Sequence, residues 1–355
     1  MRLVVKVGSN VLTKKDGTLD VARMSSLVGQ MACVMGMGHE VILVSSGAVA
    51  CGRGLIKTQN KLDEVEQRQL FSAVGQVSLM SHYREFFSKH GIHTGQILTM
   101  KENFSTRREY LNQRHCMEVM LRCEVIPIIN ENDTVSVTEL MFTDNDELSG
   151  MIASMMAADV LIILSNIDGI YDGNPTMAGT KVIRRIEPGK DLSRYIQLGR
   201  SSFGRGGMLT KSSIAAKVAQ EGIKVIIANG LKDNILPDLL EHPGATVHTE
   251  FVPVENGVSS VKKWIAHSDG FAKGRITIND KALAKLMEKK AMSLLMVGVT
   301  AVEGEFEEGD IISVVDSAGR SVAVGKSAYS SEQALSLMGA HDVKPIIHYD
   351  YLYIQ

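Results

Sequence analysis

Six short apolar runs are spaced through the first 230 residues of this 355-residue chain: Leu3–Val7, Val41–Val44, Gln96–Met100, Val125–Ile129, Val160–Leu164 and Lys224–Ala228. Each is four or five residues long and rich in Val, Ile and Leu, and most are apolar at every position rather than at alternate ones. Strands buried on both faces of a parallel sheet read this way, because helices cover both sides. Between the runs lie longer stretches with helical spacing, among them Asp63–Lys89, Ser105–Arg122, Asp146–Ala157 and Met208–Glu221. This β-α-β-α order predicts an α/β fold, an open, mostly parallel sheet flanked by helices.

The pattern changes after about residue 250. Phe251–Asp269, with Pro253, Asn256 and Gly257 ahead of Lys262-Lys263-Trp264, reads as a connector. Beyond it the runs Gly274–Ile278, Ser293–Val297, Gly309–Val315 and Ser321–Gly325 are short and punctuated by Gly304, Gly309 and Gly319. They predict a small, barrel-like C-terminal β domain. Two domains result, residues 1–265 and 270–355, in keeping with a length prior of roughly 150 residues per domain.

Composition excludes several classes. With 45% apolar and 22% charged residues, the chain is neither disordered nor collagen-like. A net charge of −2 argues against a strongly basic nucleic-acid binder. The longest uncharged apolar stretches, Leu148–Ala158 and Met292–Val302, fall short of the ~20 residues a bilayer span needs. A strand pattern starting by Leu3 leaves no room for a signal peptide of about 15–30 residues. A soluble, cytoplasmic protein without membrane partners is expected. Cys33, Cys51, Cys116 and Cys123 contain no C-x-x-C pair, so no zinc site is expected and the thiols read as reduced. The 19 methionines fall at helical spacing, as flexible core filling does.

Ligands of an open parallel sheet bind at the carboxyl ends of its strands. Four segments there are unusual. Lys6 sits inside an apolar run, where its charge is costly to desolvate unless an anion meets it; an edge-strand lysine reaching to water is the alternative. Gly8 after it permits close backbone approach, and Ser9 is placed to cap a following helix. Ser45-Ser46-Gly47-Ala48 offers two hydroxyls at a strand-to-helix junction, as a binding loop or an ordinary N-cap does. Asn130-Glu131-Asn132-Asp133 and Asp144-Asn145-Asp146 crowd polar groups after the Val125–Ile129 run, beyond what a turn requires. The second is not a calcium loop, because Leu148 occupies the fifth position. Finally, Gly204-Arg205-Gly206-Gly207-Met208-Leu209-Thr210-Lys211 leads into a helix, as a phosphate cradle or a surface loop. It matches neither the P-loop nor the dinucleotide fingerprint.

Two lysines facing several carboxylates suit phosphoryl transfer, where positioning and charge stabilisation dominate. No general base stands beside a Ser or Thr nucleophile. A carboxylate acceptor would need none, being ionised at pH 7.

The segments Val5-Lys6-Val7-Gly8-Ser9, Val44–Ala48, Pro127–Asp133, Asp144–Asp146 and Gly206–Lys211 resemble the amino acid kinase family. More narrowly, they resemble its members that phosphorylate glutamate. The tail, with Gly274–Ile278, Ser293-Leu294-Leu295, Gly298-Val299 and Gly304-Glu305-Phe306, resembles the PUA domain. The resemblance implies transfer of the ATP γ-phosphoryl group to the γ-carboxylate of L-glutamate, the opening step of proline biosynthesis. It implies Lys6, Lys211 and Asp146 as catalytic residues, Asp146 holding both lysines in place. Ser46, Asp133 and Asn145 would bind glutamate, Asp133 facing its α-ammonium group. Lys6, Gly8, Ser165, Asn166, Arg205, Gly206, Gly207, Met208, Leu209, Thr210 and Lys211 would line the nucleotide. Mg²⁺ would be held mainly by the nucleotide phosphates, with no metal site of the protein's own. Two positions depart from the family's usual residues: Asn166 stands where aspartate is common, and Arg205 where a small hydroxyl residue is. The first removes a carboxylate near the nucleotide and the second adds a cation.

The resemblance also implies feedback inhibition by proline, a glutamyl phosphate reductase downstream and a homo-oligomer, dimer or tetramer. The rivals are a kinase for another small acid, N-acetylglutamate or aspartate, and an RNA-binding protein, since PUA domains occur in RNA-modifying enzymes. From Phe271 to Gln355 there are nine Lys or Arg against eleven Asp or Glu, a net of −2, which weighs against RNA.

Overall fold

The computed structural model describes all residues except 59–60, 105–106, 136–144, 175–176, 178, 191–207, 256–264, 266–271, 289–291 and 355. The chain divides into two compact units, Met1–Met100 with Gln113–Gly257, and Lys101–Asn112 with Val258–Gln355.

The first unit is built on an eight-stranded sheet. Its strands are β1 (Arg2–Val7), β2 (Glu40–Ser45), β3 (His93–Thr99), β4 (Val125–Glu131), β5 (Val160–Ser165), β6 (Arg185–Ile186), β7 (Lys224–Asn229) and β8 (His248–Phe251). Their order is β3-β4-β2-β1-β5-β7-β8-β6. Every predicted apolar run falls in one of them, and β1 to β5 and β7 are parallel. β8 runs antiparallel to β7, and β6 joins β8 in parallel. Neither carries an apolar run, so periodicity does not reveal them: β6 has two residues and β8 reads His-Thr-Glu-Phe.

The central strands are buried on both faces, as uninterrupted apolarity requires. Val5, Val7, Leu43, Ile128, Ile162 and Leu164 all lie in one core. Each such side chain contributes roughly 1.5–3 kcal/mol by leaving water. β3 is an edge strand with several exposed positions, and it begins at His93, before the apolar run that marks it in the sequence.

The helices of this unit are α1 (Ser9–Leu12), α2 (Val21–Gly36), α3 (Ala48–Leu55), α4 (Glu64–Ser88), α5 (Arg107–Arg122), α6 (Asn145–Met155), α7 (Met208–Gln220) and α8 (Ile235–Glu241). The first turns of α5 group with the second unit. α4 opens on a capping box in which Asp63 accepts from the Glu66 backbone and Glu66 from that of Asp63. α3 and α4 cross in close backbone contact at two glycines. A Cβ on Gly52 would lie 1.9 Å from the Phe71 carbonyl oxygen, and one on Gly75 1.8 Å from that of Ala48.

The chain leaves β1 for β2 on one side and later returns past β1 to β5 on the other. The strand order therefore reverses beside β1, and the crevice at the carboxyl ends of β1, β2 and β5 is where such a sheet binds ligands.

The second unit holds a five-stranded sheet of β9 (Gly274–Ile278), β10 (Val299–Gly304), β11 (Ile311–Val315), β12 (Ser321–Lys326) and β13 (Leu352–Ile354), in the order β10-β9-β11-β12-β13. It has its own core, including Ile276, Val314, Ala323 and Ile346. One predicted strand is corrected. Ser293–Val297 contributes only an isolated bridge from Leu294 to Ile347, then turns through a short 3₁₀ helix, Met296–Gly298. Pairing with β9 begins at Val299.

Candidate active site

Lys6 is the next-to-last residue of β1, in the middle of the sheet, and its side chain is 2% exposed. Reaching to water from an edge is thereby excluded. Its Nζ lies 2.5 Å from Asp146 Oδ1. The Lys211 Nζ donates to the other oxygen, Oδ2, at 2.6 Å. Asp146 is fully buried in the first turn of α6, where the helix N-terminus favours negative charge. Lys211 stands in the first turn of α7. Three elements thus bring two cations to one carboxylate, with Lys6 and Asp146 buried and Lys211 12% exposed.

Gly8 lies two residues beyond Lys6, just past the end of β1. A Cβ there would sit 3.2 Å from Lys6 Nζ, so a side chain would crowd the ammonium. Ser9 does not cap α1. Gly8 takes the cap position without a side-chain bond, and Ser9 is the first helical residue. At the end of β2, Gly47 occupies the N-cap of α3 with φ +108°, a left-handed backbone that glycine adopts without strain. Neither Ser45 nor Ser46 caps that helix, so both hydroxyls serve elsewhere. The Ser45 and Tyr83 hydroxyls lie 2.7 Å apart, and Ser45 Oγ donates to the Ser46 carbonyl at 2.9 Å. The Tyr83 hydroxyl is fully buried, and burial pushes its ionisation well above the usual phenol range.

Asn145 joins these loops. Its Nδ2 lies 2.9 Å from Ser46 Oγ, 3.0 Å from the Ser45 carbonyl and 3.1 Å from Asn130 Oδ1. Its Oδ1 is buried and accepts no hydrogen bond from the described residues. Asn130 is held in turn by Gln76 of α4, its Nδ2 donating to Gln76 Oε1 at 2.9 Å.

Asp133 lies beyond the end of β4 and is engaged by Arg68. Arg68 Nε donates to Asp133 Oδ1 at 2.8 Å, and its Nη2 donates to the same oxygen at 2.5 Å and to Glu131 Oε2 at 2.9 Å. Burial pushes the Asp133 carboxyl above the usual carboxylate range, although the Arg68 charge and hydrogen bond pull the other way.

On the far side of β1, Ser165 ends β5 opposite Asn229 of β7. Asn166 follows it and is exposed. Asn229 Nδ2 donates to Asp168 Oδ1 at 3.0 Å, and Lys232 Nζ lies 2.7 Å from that atom. Burial raises the Asp168 carboxyl, but Lys232 and Asn229 outweigh it and hold the group below the usual range. Met208 opens α7 and Thr210 is half-buried in it; Leu209 lies on the same turn. Arg205, Gly206 and Gly207 lie outside the described residues, as does Asp144.

The structure therefore gathers Lys6, Asp146 and Lys211 in one cluster and Ser46 with Asn145 in an adjoining one. Arg68, Glu131, Asn130, Gln76, Asp168, Asn229 and Lys232 were not singled out for roles by sequence. Arg68, Gln76, Asp168 and Lys232 sit where helix or loop polarity is ordinary and Asn229 at a strand end, whereas Asn130 and Glu131 belong to the excess polarity after the Val125–Ile129 run. No group of three or more metal-ligating side chains occurs among the described residues.

The chain is similar to known proteins along its whole length. The amino acid kinase family model matches residues 1–229, and the PUA domain model matches residues 274–349. Over 354 residues the chain is 64% identical to a glutamate 5-kinase of Bacteroides thetaiotaomicron, covering all of this chain and 98% of that protein. It is 48% identical to a glutamate 5-kinase of Chlorobaculum tepidum, covering 99% and 97% of the two chains. The crystal structure of the T. acidophilum isopentenyl phosphate kinase product complex superposes with a TM-score of 0.50 at 15% identity. It covers 71% of this chain and all of that one, and it establishes the shared fold.

Proposed function

The chain belongs to the amino acid kinase family, and we propose that within it this protein transfers the γ-phosphoryl group of ATP to the γ-carboxylate of L-glutamate. The product is L-glutamyl 5-phosphate, and the reaction opens proline biosynthesis. The observation that carries this reading is the buried Lys6–Asp146–Lys211 cluster at the sheet's switch point. Full-length similarity to glutamate 5-kinases supports the choice of acceptor.

A γ-carboxylate oxygen of glutamate attacks the γ-phosphorus, an O–P bond forms, and the bond to the bridging oxygen of ADP breaks. Negative charge moves toward that bridging oxygen. Lys6 and Lys211 meet the transferring group with two positive charges already in place, so little reorganisation is needed during transfer. Asp146 holds the two ammonium groups together against their mutual repulsion. The acceptor carboxylate, with an ordinary pKa of about 4.3, is ionised at pH 7 and needs no base.

Asp133 and Asn145 Oδ1 suit the α-ammonium group of the amino acid, and Ser46 Oγ the rest of its polar outline. Gly8, Ser165, Asn166, Met208, Leu209 and Thr210, with Arg205, Gly206 and Gly207 of the preceding segment, would line the nucleotide. Family membership implies ATP and, usually, Mg²⁺. Both Asp146 oxygens carry a lysine, so this donor set fits phosphates rather than a cation. The ion would be held by the nucleotide phosphates and would neutralise part of their charge. We place the functional boundary between kinase and PUA domains at residues 265–270. A cytoplasmic homo-oligomer, inhibited by proline and feeding a glutamyl phosphate reductase, completes the proposal. Among the described residues no helix is long and apolar enough to cross a membrane.

An ATP-dependent hydroxamate assay on a panel of acids tests the reading, because hydroxylamine traps the acyl phosphate directly. Signal is expected with L-glutamate and at most weakly with aspartate or N-acetylglutamate. The last lacks the ammonium that Asp133 would meet. No signal with glutamate would remove the proposal.

A further inference from the structure

The end of β4 presents two carboxylates to a single guanidinium. Glu131 is 5% exposed and Asp133 11%, whereas Arg68 is 27% exposed. The cation is therefore the member of the group that a molecule arriving from solvent meets first. Backbone on both sides is pinned. Gln67 Nε2 donates to the Leu62 carbonyl at 2.9 Å, and Gln69 Nε2 to the Thr134 carbonyl at 3.0 Å. The Gln69 bond ties the first turns of α4 to the loop that follows β4, and the Gln67 bond and the capping box at Asp63 hold the start of the helix itself.

Placing an α-ammonium group against Asp133 would set it beside Arg68, whose Nε and Nη2 both already donate to Asp133 Oδ1. Two cations would then share that carboxylate, while Glu131 holds the guanidinium as its other partner. An amino acid resolves this itself, because its α-carboxylate arrives one bond away from the carbon that carries the ammonium. We infer that Arg68 is the specificity-determining residue for the α-carboxylate of the substrate, and that the Arg68–Asp133 ion pair is exchanged on binding for two new ones. The substrate ammonium takes Asp133 and the substrate α-carboxylate takes Arg68, while Glu131 keeps its hold on the guanidinium and orients it. Charge is conserved through the exchange. The planar fork of arginine suits a carboxylate better than a lysine would. This rests on the reading of Asp133 as the ammonium partner.

The test compares L-glutamate with 4-aminobutyrate, which keeps the ammonium and the reacting carboxylate but lacks the α-carboxylate. Hydroxamate formation and competition against glutamate are measured for the wild-type chain, Arg68→Gln and Arg68→Lys, with melting temperatures alongside. Loss of one charged hydrogen-bonded contact corresponds to about a 10- to 150-fold fall in kcat/KM. That fall is expected for Arg68→Gln with glutamate, chiefly through KM, with the ATP KM unchanged. Use or binding of 4-aminobutyrate should stay within a few-fold of wild type, so that discrimination between the two collapses. Arg68→Lys keeps the charge in place and should fold normally, with an intermediate loss confined to glutamate. An equal loss with both compounds in either variant would make Arg68 a structural support and overturn the inference, as would an unchanged glutamate KM. If the wild-type chain forms no hydroxamate with glutamate, the substrate reading fails first and this one falls with it.

Discussion

Asp146 has no exposure and carries a lysine on each oxygen, so its removal would leave two ammonium groups facing each other without the carboxylate between them. Asp146→Asn should lower kcat by about 10²–10³-fold, the usual cost of losing a preorganised electrostatic group. Breaking a buried ion pair costs roughly 3–5 kcal/mol, so the melting temperature should fall as well. Steady-state kinetics and a thermal melt check both, and near-normal kcat would remove Asp146 from the phosphoryl site. Asp133 behaves differently. Burial raises its carboxyl, so the folded chain binds this proton more tightly than the unfolded chain does. Its contribution to stability therefore grows as pH falls through the raised value, while its ability to pair with an ammonium disappears. Glutamate KM should rise on the acid side at a pH above the ordinary aspartate range near 3.9. Because Arg68 opposes the rise, Arg68→Gln should move that onset to still higher pH. A KM–pH profile for both chains measures it.

The crossing of α3 and α4 sets where Ser46 and Gly47 emerge and where Arg68 and Gln76 point. Gly52 and Gly54 lie two residues apart in α3, yet only Gly52 faces the crossing. Gly52→Ala would force a carbon to within 1.9 Å of the Phe71 carbonyl, and separating the helices should cost about 1–3 kcal/mol or more. At Gly54 nothing lies within 4 Å, and alanine there should be neutral or stabilising by up to about 1 kcal/mol. Denaturant melts of the two variants provide the comparison, and equal effects would refute the packing account. Lys6 was legible in the sequence because a charge in an apolar run demands a partner. Its partner Asp146 was legible as surplus polarity at a predicted helix start, and the doubly buried strands announced the parallel sheet. The Gly52–Gly75 contact was not, since glycine in a helix is locally only a weakening. Arg68 was hidden for a similar reason: early on a polar helix it looks like any solvated arginine until the fold brings β4 beneath it. β8 escaped because its four residues, His-Thr-Glu-Phe, carry no apolar run although the strand is paired on both sides.

At the scale of the whole molecule, a net charge of −2 looks uninformative until it is divided. Residues 1–270 hold 29 basic and 29 acidic side chains, so the excess negative charge belongs to the remainder. In the C-terminal unit four of the basic groups are also locally answered. Lys273 lies 3.1 Å from Asp310, Arg320 2.7 Å from Asp316, Lys285 3.6 Å from Glu288 and Lys344 3.8 Å from Glu308. Such surface pairs add little stability, but they flatten the potential that a polyanion would feel. Lys326 instead lies over the ring of Tyr351, 5.3 Å from its centroid. Sequence-independent RNA affinity comes mainly from neutralised phosphates and falls steeply with salt. A PUA domain of this charge should therefore give the intact protein no shift of bulk RNA at about 150 mM salt, a screening length of about 8 Å. The measurement is a gel-shift titration at two salt concentrations. A tight complex whose affinity collapsed between them would reveal a basic surface that this charge distribution does not supply, and RNA binding would have to be added to the proposed kinase activity.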